Sequence, residues 1–491
     1  MLLLLAAGCG NGAYGKDDDD VRPSDPVEAE GGSTSMGPVS LPQGSRELDG
    51  VVNLVDATAA QELEDFLTVE QQPTSIFNLH GLNASLNLFL EHYVEQYDFV
   101  FFFTDHSLPT TIIGKFEAVT RPPLLGTGSD VQIAAHGYKT NGRVKGVIGI
   151  QYNAGRFGPF AHEMLHYWGI RFDQSFGFGL GLEEDFGAHW GYAGVHGQLG
   201  GFDPTTLRCE TPADAQPPDC EPLPDGRIRY RIGAVYPNAN GPNIDLAPSE
   251  LYLMGLLPLA EVPSEIPVLV QARSVLDSYD QGTDTVLVDA DAVNTVGMTE
   301  IVAQHGEVEL LPADERQFSA AFVLLTATPA ADEVLSEIAE WAAIFGNRQG
   351  DSRLRPFEEL AAGLATLDTE LGPRRDRSDA PPQVRPPATC DLLGQDCVGE
   401  GVGCYLAGLP EQPTFCGISG GAQAGQSCDS VLDCAAGLTC IESDSTAELV
   451  CTPYCDHENA DSPKACETVC DRTLFLTDPA GNILSGQCLP Q

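Results

Sequence analysis

The segment GPFAHEMLHYW constrains this chain more than any other, because it contains the pattern H-E-x-x-H at His162, Glu163 and His166. Histidines four residues apart lie on the same face of a helix, so both imidazoles can reach one ion. The glutamate between them projects about a quarter-turn away, where it can hold a water molecule beside that ion. The alternative is an amphipathic core helix whose two histidines happen to align. The spacing favours a metal-binding helix, with Pro159 near its first turn and Gly169 as its stop.

A catalytic zinc ion needs three protein ligands and an open fourth position, and the helix supplies only two. The third must come from the glycine-rich segment that follows, which offers four candidates: Glu183, Glu184, Asp185 and His189. The spacing from His166 to Asp185 resembles that at which other zinc peptidases place a carboxylate ligand on a following helix. The glycines around Asp185, however, cost about 1 kcal/mol each in a helix interior. Small residues flank His189 in GAHWG and let the backbone approach an ion. We therefore predict His189 as the third ligand of Zn2+, ahead of the three carboxylates.

The predicted chemistry is hydrolysis by a zinc-activated water, with Glu163 as the general base that passes the proton to the leaving group. Neighbouring carboxylates are expected to orient the histidines. A hydrogen-bond donor for the scissile carbonyl is expected nearby, and Tyr192, His196 and Tyr252 are the candidates. Tyrosines in such segments more often pack in the core than act in catalysis.

Apolar spacing predicts an α+β body around this helix. AAQELEDFL, NASLNLFLEHYVEQ, APSELYLMGLL and SEIAEWAAIF have helical periodicity. YDFVFFFTDH is a continuous apolar run that suits a buried strand, and GRVKGVIGIQYN is a strand rich in β-branched residues.

HEMLHYW, the glycine-rich return to GAHWGY and the later APSELYLMGLLPLAEVP resemble the zincin superfamily of zinc metallopeptidases, and among them a group of secreted sequences from myxobacteria. The resemblance covers about residues 98–263 and extends toward 371. It implies a zincin-like catalytic domain with a mixed sheet, an active-site helix and a helical lower part. It also matches GVIGIQYN to the strand that lies antiparallel to the substrate in that family. The chain departs from the metzincin pattern, because no histidine lies six residues after His166.

The cysteines indicate an oxidising compartment. Of the 15 cysteines, twelve lie between Cys390 and Cys488, and their spacing repeats as C-x6-C-x6-C-x11-C and C-x5-C-x5-C-x10-C. This density predicts two small disulfide modules, with a pair at Cys209 and Cys220 closing a loop in the body. MLLLLAAGCG resembles the end of a bacterial lipoprotein signal, which would place a lipid anchor at Cys9, although a plain secretory signal is an alternative.

Charge and composition divide the rest of the chain. With 71 acidic and 25 basic residues, the net charge of −46 excludes nucleic acids and anionic membranes as partners. The predicted organisation has five parts: a lipoprotein-like signal remnant (1–9), a disordered acidic tether (10–45), the zincin-like metallopeptidase domain (46–371), a proline-rich linker (372–389) and the cysteine-rich disulfide modules (390–491).

These features favour an extracytoplasmic zinc metalloendopeptidase acting on a protein or peptide substrate, either secreted or lipid-anchored to the bacterial cell surface or outer membrane. One alternative is a non-catalytic surface binding or adhesion lipoprotein, in which the cysteine-rich tail binds a surface ligand. Another is a zinc hydrolase of a non-peptide substrate. We prefer an enzyme to a binding protein because Glu163 is present between the two histidines, whereas the motif leaves the non-peptide hydrolase open.

Overall fold

A mixed seven-stranded sheet with helices on both faces forms the centre of the body. The structure, a computed structural model, describes residues 37–68, 82–110, 113–119, 140–168, 189–213, 215–233, 244–275, 278–280, 283–305, 307–346 and 354–378, and short segments between 402 and 488. The strands of the body are β1 (Arg46–Leu48), β2 (Val51–Val55), β3 (Phe99–Phe103), β4 (Gly114–Ala118), β5 (Gly146–Ile150), β6 (Arg208–Cys209), β7 (Ile228–Gly233), β8 (Glu265–Val270), β9 (Arg273–Ser274), β10 (Thr285–Ala290), β11 (Ala292–Gly297), β12 (Gln317–Thr326) and β13 (Thr366–Asp368). The helices are α1 (Ala57–Thr68), α2 (Asn83–His92), α3 (Tyr152–Gly155), α4 (Phe160–Leu165), α5 (Pro248–Leu253), α6 (Met298–His305), α7 (Asp332–Phe345) and α8 (Phe357–Leu360).

The main sheet has the order β1-β2-β12-β3-β5-β4, and β13 pairs with the start of β12. Strands β2, β12, β3 and β5 run parallel to one another, whereas β1 pairs antiparallel with β2 and β4 pairs antiparallel with β5. Helices α1 and α2 pack on one face, and α4 and α7 pack on the other. The expected α+β class is confirmed.

Strand β3 shows why the sheet is covered on both sides. All five residues of its sequence FVFFF are buried. Phe99, Phe101 and Phe103 face the α4 and α7 layer, while Val100 and Phe102 face α1 and α2. Continuous apolar runs are typical of parallel strands with both faces buried, which is the prediction made for this segment.

The family resemblance matched GVIGIQYN to the strand that lies antiparallel to the substrate, and this expectation is wrong. The predicted strand in GVIGIQYN exists as β5, but it lies between β3 and β4, so both of its edges are paired. The end of the sheet is instead β4, which in the described part of the chain pairs only with β5.

The region after the H-E-x-x-H helix is less helical than expected. Helices α5 and α7 are confirmed, but the described residues between 208 and 297 fold mainly as a four-stranded sheet, β6-β7-β10-β9, and an antiparallel pair of strands, β8 and β11. The segment TDTVLVDADAVNTVG supplies β10 and β11, and its many valines favour strands over helices. The prediction of a helical lower part therefore holds only outside these strands.

Residues at both ends of the body pair with it beyond the predicted boundaries at 45 and 372. The Val39 N–H donates to the Arg375 carbonyl at 2.8 Å, and the Arg375 N–H donates to the His92 carbonyl at 2.8 Å. Pro38 and Asp376 form an antiparallel bridge. The body thus includes residues assigned to the tether and to the linker.

The tail contains two hairpins that repeat one arrangement. These are β14 (Val402–Leu409) with β15 (Gln412–Ile418), and β16 (Leu438–Glu442) with β17 (Leu449–Cys455). Cys404 lies opposite Cys416 in the first hairpin, and Cys440 lies opposite Cys451 in the second. These are the third and fourth cysteines of each predicted repeat, so the spacing repeat corresponds to a structural one.

The remaining tail strands, β18 (Cys470–Thr477) and β19 (Ile483–Cys488), join the sheet of the second hairpin. Disulfides link Cys428 to Cys440, Cys434 to Cys451 and, in the body, Cys209 to Cys220. The predicted closure of the body loop by a disulfide is confirmed. Within the described ranges, no helix has the length and apolar character required to cross a bilayer.

Candidate metal centre

Helix α4 presents the H-E-x-x-H residues from the sheet face lined by phenylalanines. Phe160, 1% exposed, packs its ring 5.6 Å from that of Phe101 and 5.3 Å from that of Phe322. Pro159 is the N-cap, and His166 is the C-cap with helical dihedral angles. The predicted helix is thus confirmed, and its second histidine lies at the C-cap, directly after Leu165. Gly169, its predicted stop, is outside the described residues.

The structure brings the three predicted histidines together. His162, His166 and His189 form what we call the histidine cluster: each offers a ring nitrogen, and these nitrogens all lie within 4.8 Å of one another. All three pairs of ring centroids are 5.0 Å apart. The Nε2 atoms of His162 and His189 are 3.2 Å apart, a distance at which two imidazoles share either a proton or a cation. His189, which no motif specified, therefore lies where a third ligand is required.

A backbone carbonyl orients His162. Its Nδ1 lies 2.7 Å from the Gln198 carbonyl oxygen. A carbonyl can only accept a hydrogen bond, so Nδ1 carries the proton and Nε2 keeps a lone pair directed toward His189. The sequence suggested carboxylates for this role, and for His162 that expectation is wrong.

The donor set fits a divalent cation. Two nitrogens bound tetrahedrally at 2.0–2.1 Å from zinc are about 3.3 Å apart, close to the 3.2 Å between the Nε2 atoms of His162 and His189. Burial and the nearby His189 ring lower the pKa of His162 to about 3. Burial and the other two rings also hold the pKa of His166 well below its usual value. Neutral imidazoles are the form that binds metal, so His162 and His166 are in the form that binds a cation at neutral pH.

Glu163 lies beside the cluster in a nearly closed environment. Its side chain is 3% exposed, and burial raises the pKa of its carboxyl to about 8. A β-carbon at Gly114 would be only 2.6 Å from Glu163 Oε1, so the carboxylate lies directly against β4. Glycine at position 114 permits this approach.

Sequence reasoning missed a second buried glutamate, Glu250 in α5, which is 0% exposed. Four N–H groups donate to its carboxylate: those of the Trp190 indole at 3.1 Å and of the Gln198, Leu199 and Ala247 backbone at 2.9, 2.7 and 2.9 Å. Burial raises the pKa of Glu250, and these donors oppose the increase. Four donors leave no acceptor for a proton on the carboxyl, so we assign it as ionised. Its one sequence signal is its place at the third position of a helix, where a glutamate can cap the first turn.

The other predicted site residues are placed elsewhere. The Tyr192 hydroxyl lies 2.5 Å from Ser274 Oγ, and the Tyr252 hydroxyl accepts the Val308 N–H at 3.1 Å. Both tyrosines are buried in apolar clusters, and His196 is exposed. These contacts give no support to the predicted carbonyl donors. The alternative third ligands lie outside the described residues: Glu183, Glu184 and Asp185.

Three tail cysteines, Cys428, Cys434 and Cys440, also lie within ligand distance of one another. Each belongs to a disulfide, so none offers the thiolate that binds a metal. Among the described residues the histidine cluster is therefore the better candidate. Comparison with protein-family models, curated proteins and solved structures finds no match to this chain.

Proposed function

We propose that this protein is an extracytoplasmic zinc-dependent endopeptidase of the zincin type. The observation that carries the proposal is the convergence of three imidazoles beside the buried Glu163 carboxyl. Three nitrogen ligands with an adjacent carboxylate that is not a ligand are typical of catalytic zinc sites.

Each residue has a distinct part. His162, His166 and His189 would hold the ion through ring nitrogens. A bound zinc ion supplies Lewis acidity, which acidifies water and polarises a carbonyl group. Glu163, whose carboxyl lies beside the histidine cluster, would accept a proton from a water molecule and deliver it to a leaving amine.

The position of β4 supports a peptide as the substrate. Gly114 at the start of β4 lies against Glu163, and β4 is the last strand of the described sheet. An extended peptide that added to β4 by backbone hydrogen bonds would pass beside the Glu163 carboxyl. Ester or small amide substrates would not use this edge.

The disulfides support a location outside the cytoplasm. Three are present in the described residues, one in the body and two in the tail. Such bonds form and persist in oxidising compartments. Export of the protein to the cell surface, with or without a lipid anchor at Cys9, is consistent with them.

Metal analysis combined with casein digestion tests the proposal, using wild-type protein, Glu163→Gln and, as a surface control, Glu340→Gln on the exposed side of α7. We expect one zinc ion per chain in all three proteins, and loss of digestion only in Glu163→Gln. Zinc without digestion by wild type would favour a binding protein, and cleavage of esters but not casein would favour a non-peptide hydrolase. Wild-type protein that binds no divalent metal would overturn the proposal.

A further inference from the structure

Residues 197–200 form a tight turn that connects Glu250 to the histidine cluster. Gly197 and Gly200 hydrogen-bond to each other through both N–H groups, at 2.9 and 3.1 Å. The two residues between them, Gln198 and Leu199, each donate a backbone N–H to the Glu250 carboxylate. The Glu250 carboxylate therefore holds the turn through two backbone N–H groups.

One peptide group of this turn contacts both Glu250 and His162. The peptide of residues 198–199 accepts the His162 Nδ1–H through its carbonyl at 2.7 Å. Its N–H donates to Glu250 Oε1 at 2.7 Å. A negative charge on the N–H side of a peptide polarises its carbonyl, and hydrogen bonds in such a chain strengthen one another.

The same carboxylate also anchors the segment that carries His189. Trp190, which is 0% exposed, donates its indole N–H to Glu250 Oε1 at 3.1 Å and its backbone N–H to the Leu199 carbonyl at 2.9 Å. Glu250 thus fixes two separate chain segments that meet at the cluster.

Close packing leaves little room for the carboxylate to move. A β-carbon at Gly197 would be 2.3 to 2.5 Å from the Glu250 carboxylate oxygens and Cδ. The absence of a side chain at position 197 permits the four hydrogen bonds to form together. The arrangement is specific to a carboxylate, because every neighbouring group donates and none accepts.

We propose that Glu250 is a positioning residue of the histidine cluster, and that it acts on His162 through the peptide group of residues 198–199. By orienting and polarising the carbonyl that holds His162 Nδ1–H, it fixes the tautomer with a lone pair on Nε2 and raises the basicity of that nitrogen. Histidine ligands of metals ordinarily donate their other N–H to a carboxylate, a backbone carbonyl or water, and here the carbonyl belongs to a peptide group whose N–H is itself held by a carboxylate. The inference rests on the proposed function, since it concerns metal binding by the cluster.

Glu250→Gln is the decisive variant. The amide removes the charge and, in either orientation, points its NH2 at two N–H donors. Glu62→Gln is the matched control: the Glu62 carboxylate, on α1, accepts the Ala84 N–H, the Ser85 N–H and the Ser85 hydroxyl, all at 2.8 Å. Helix α1 packs on the opposite face of the sheet from α4, so this change costs stability without touching the cluster.

Three readouts on the full chain test the proposal. Zinc affinity, measured by competition with a chromophoric chelator, should fall about 10- to 100-fold in Glu250→Gln and remain unchanged in Glu62→Gln. The visible spectrum of the cobalt-loaded protein should change only in Glu250→Gln. In metal-free protein, 15N-histidine NMR should show the Nδ1–H form of His162 alone in wild type and both tautomers in Glu250→Gln.

The outcomes separate this inference from the proposed function. Unchanged affinity and an unchanged His162 tautomer in a destabilised Glu250→Gln protein would overturn the role of Glu250. Wild-type protein without metal affinity would overturn the proposed function, and the tautomer measurement would still decide the role of Glu250. If Glu250→Gln does not fold, Trp190→Phe is the fallback variant, because it removes only one of the four hydrogen-bond donors to Glu250. A loss of zinc affinity smaller than the one expected for Glu250→Gln is then predicted, and no loss overturns the proposal.

Discussion

Gly114→Ala should reduce catalysis while leaving the metal in place. The new β-carbon would lie 2.6 Å from Glu163 Oε1, and an ordinary contact requires about 3.5 Å. The carboxylate must therefore retreat by about 0.9 Å. A misplacement of about 1 Å at a reacting group costs about 100-fold in rate. We expect kcat on a peptide substrate to fall by that factor, with full zinc content.

Stability separates this effect from simple misfolding. Alanine is up to about 0.5–1 kcal/mol more favourable than glycine in a strand, and at Gly114, the first residue of β4, this offsets part of the clash of the new β-carbon with Ile150 Cδ1 at 2.8 Å. Gly297→Ala is the matched control, because its β-carbon would meet no atom closer than 3.5 Å. Steady-state kinetics, zinc content and thermal unfolding of both variants form the assay. A zinc-loaded Gly114→Ala protein with wild-type kcat would refute the role given to Glu163 in this position.

Three further predictions concern stability. Phe160→Ala should lower the free energy of unfolding by about 3–5 kcal/mol, because it empties a site packed by several aromatic rings. Denaturant unfolding measures this loss, and a loss below about 1 kcal/mol would contradict the packing of α4. Burial lowers the pKa of Lys115 to about 8, below its unfolded value near 10.5. Between these two pH values the unfolded chain binds more protons than the folded chain, so the free energy of unfolding should rise with pH. A Lys115→Met protein should lack this rise, and parallel pH profiles of stability for the two proteins would contradict the prediction. Replacing both Cys209 and Cys220 by serine opens a loop with a sequence separation of 11. The free energy of unfolding, measured by chemical denaturation, should fall by about 3 kcal/mol while zinc binding persists. Loss of zinc would contradict this prediction and show that the loop supports the cluster.

Local patterns in the sequence predicted several elements of the main sheet and its helices, including the helix that carries His162 and His166. The apolar run FVFFF specified a buried strand, and the periodicity of AAQELEDFL specified a helix, because each pattern is set by neighbouring residues alone. His162 and His166 follow from one helical turn. His189 was chosen among four candidates because small residues flank it, and the structure places it beside the other two.

Long-range contacts explain what the sequence did not reveal. Glu250 lies about 50 residues or more along the chain from Trp190 and Leu199, so nothing local indicated that they would meet. The partner of His162 is a backbone carbonyl, which any residue type can supply. The strands between residues 208 and 297 are short, and their pairing depends on partners that one sequence does not identify.

Anomalous diffraction at the zinc edge from zinc-loaded crystals of the full chain tests the central claim most directly. The account predicts one strong peak within about 2.0–2.1 Å of ring nitrogens from His162, His166 and His189, with Glu163 beside the ion but not bound to it. A zinc-loaded protein with no peak at these rings, or with its only peak at other side chains, would contradict it.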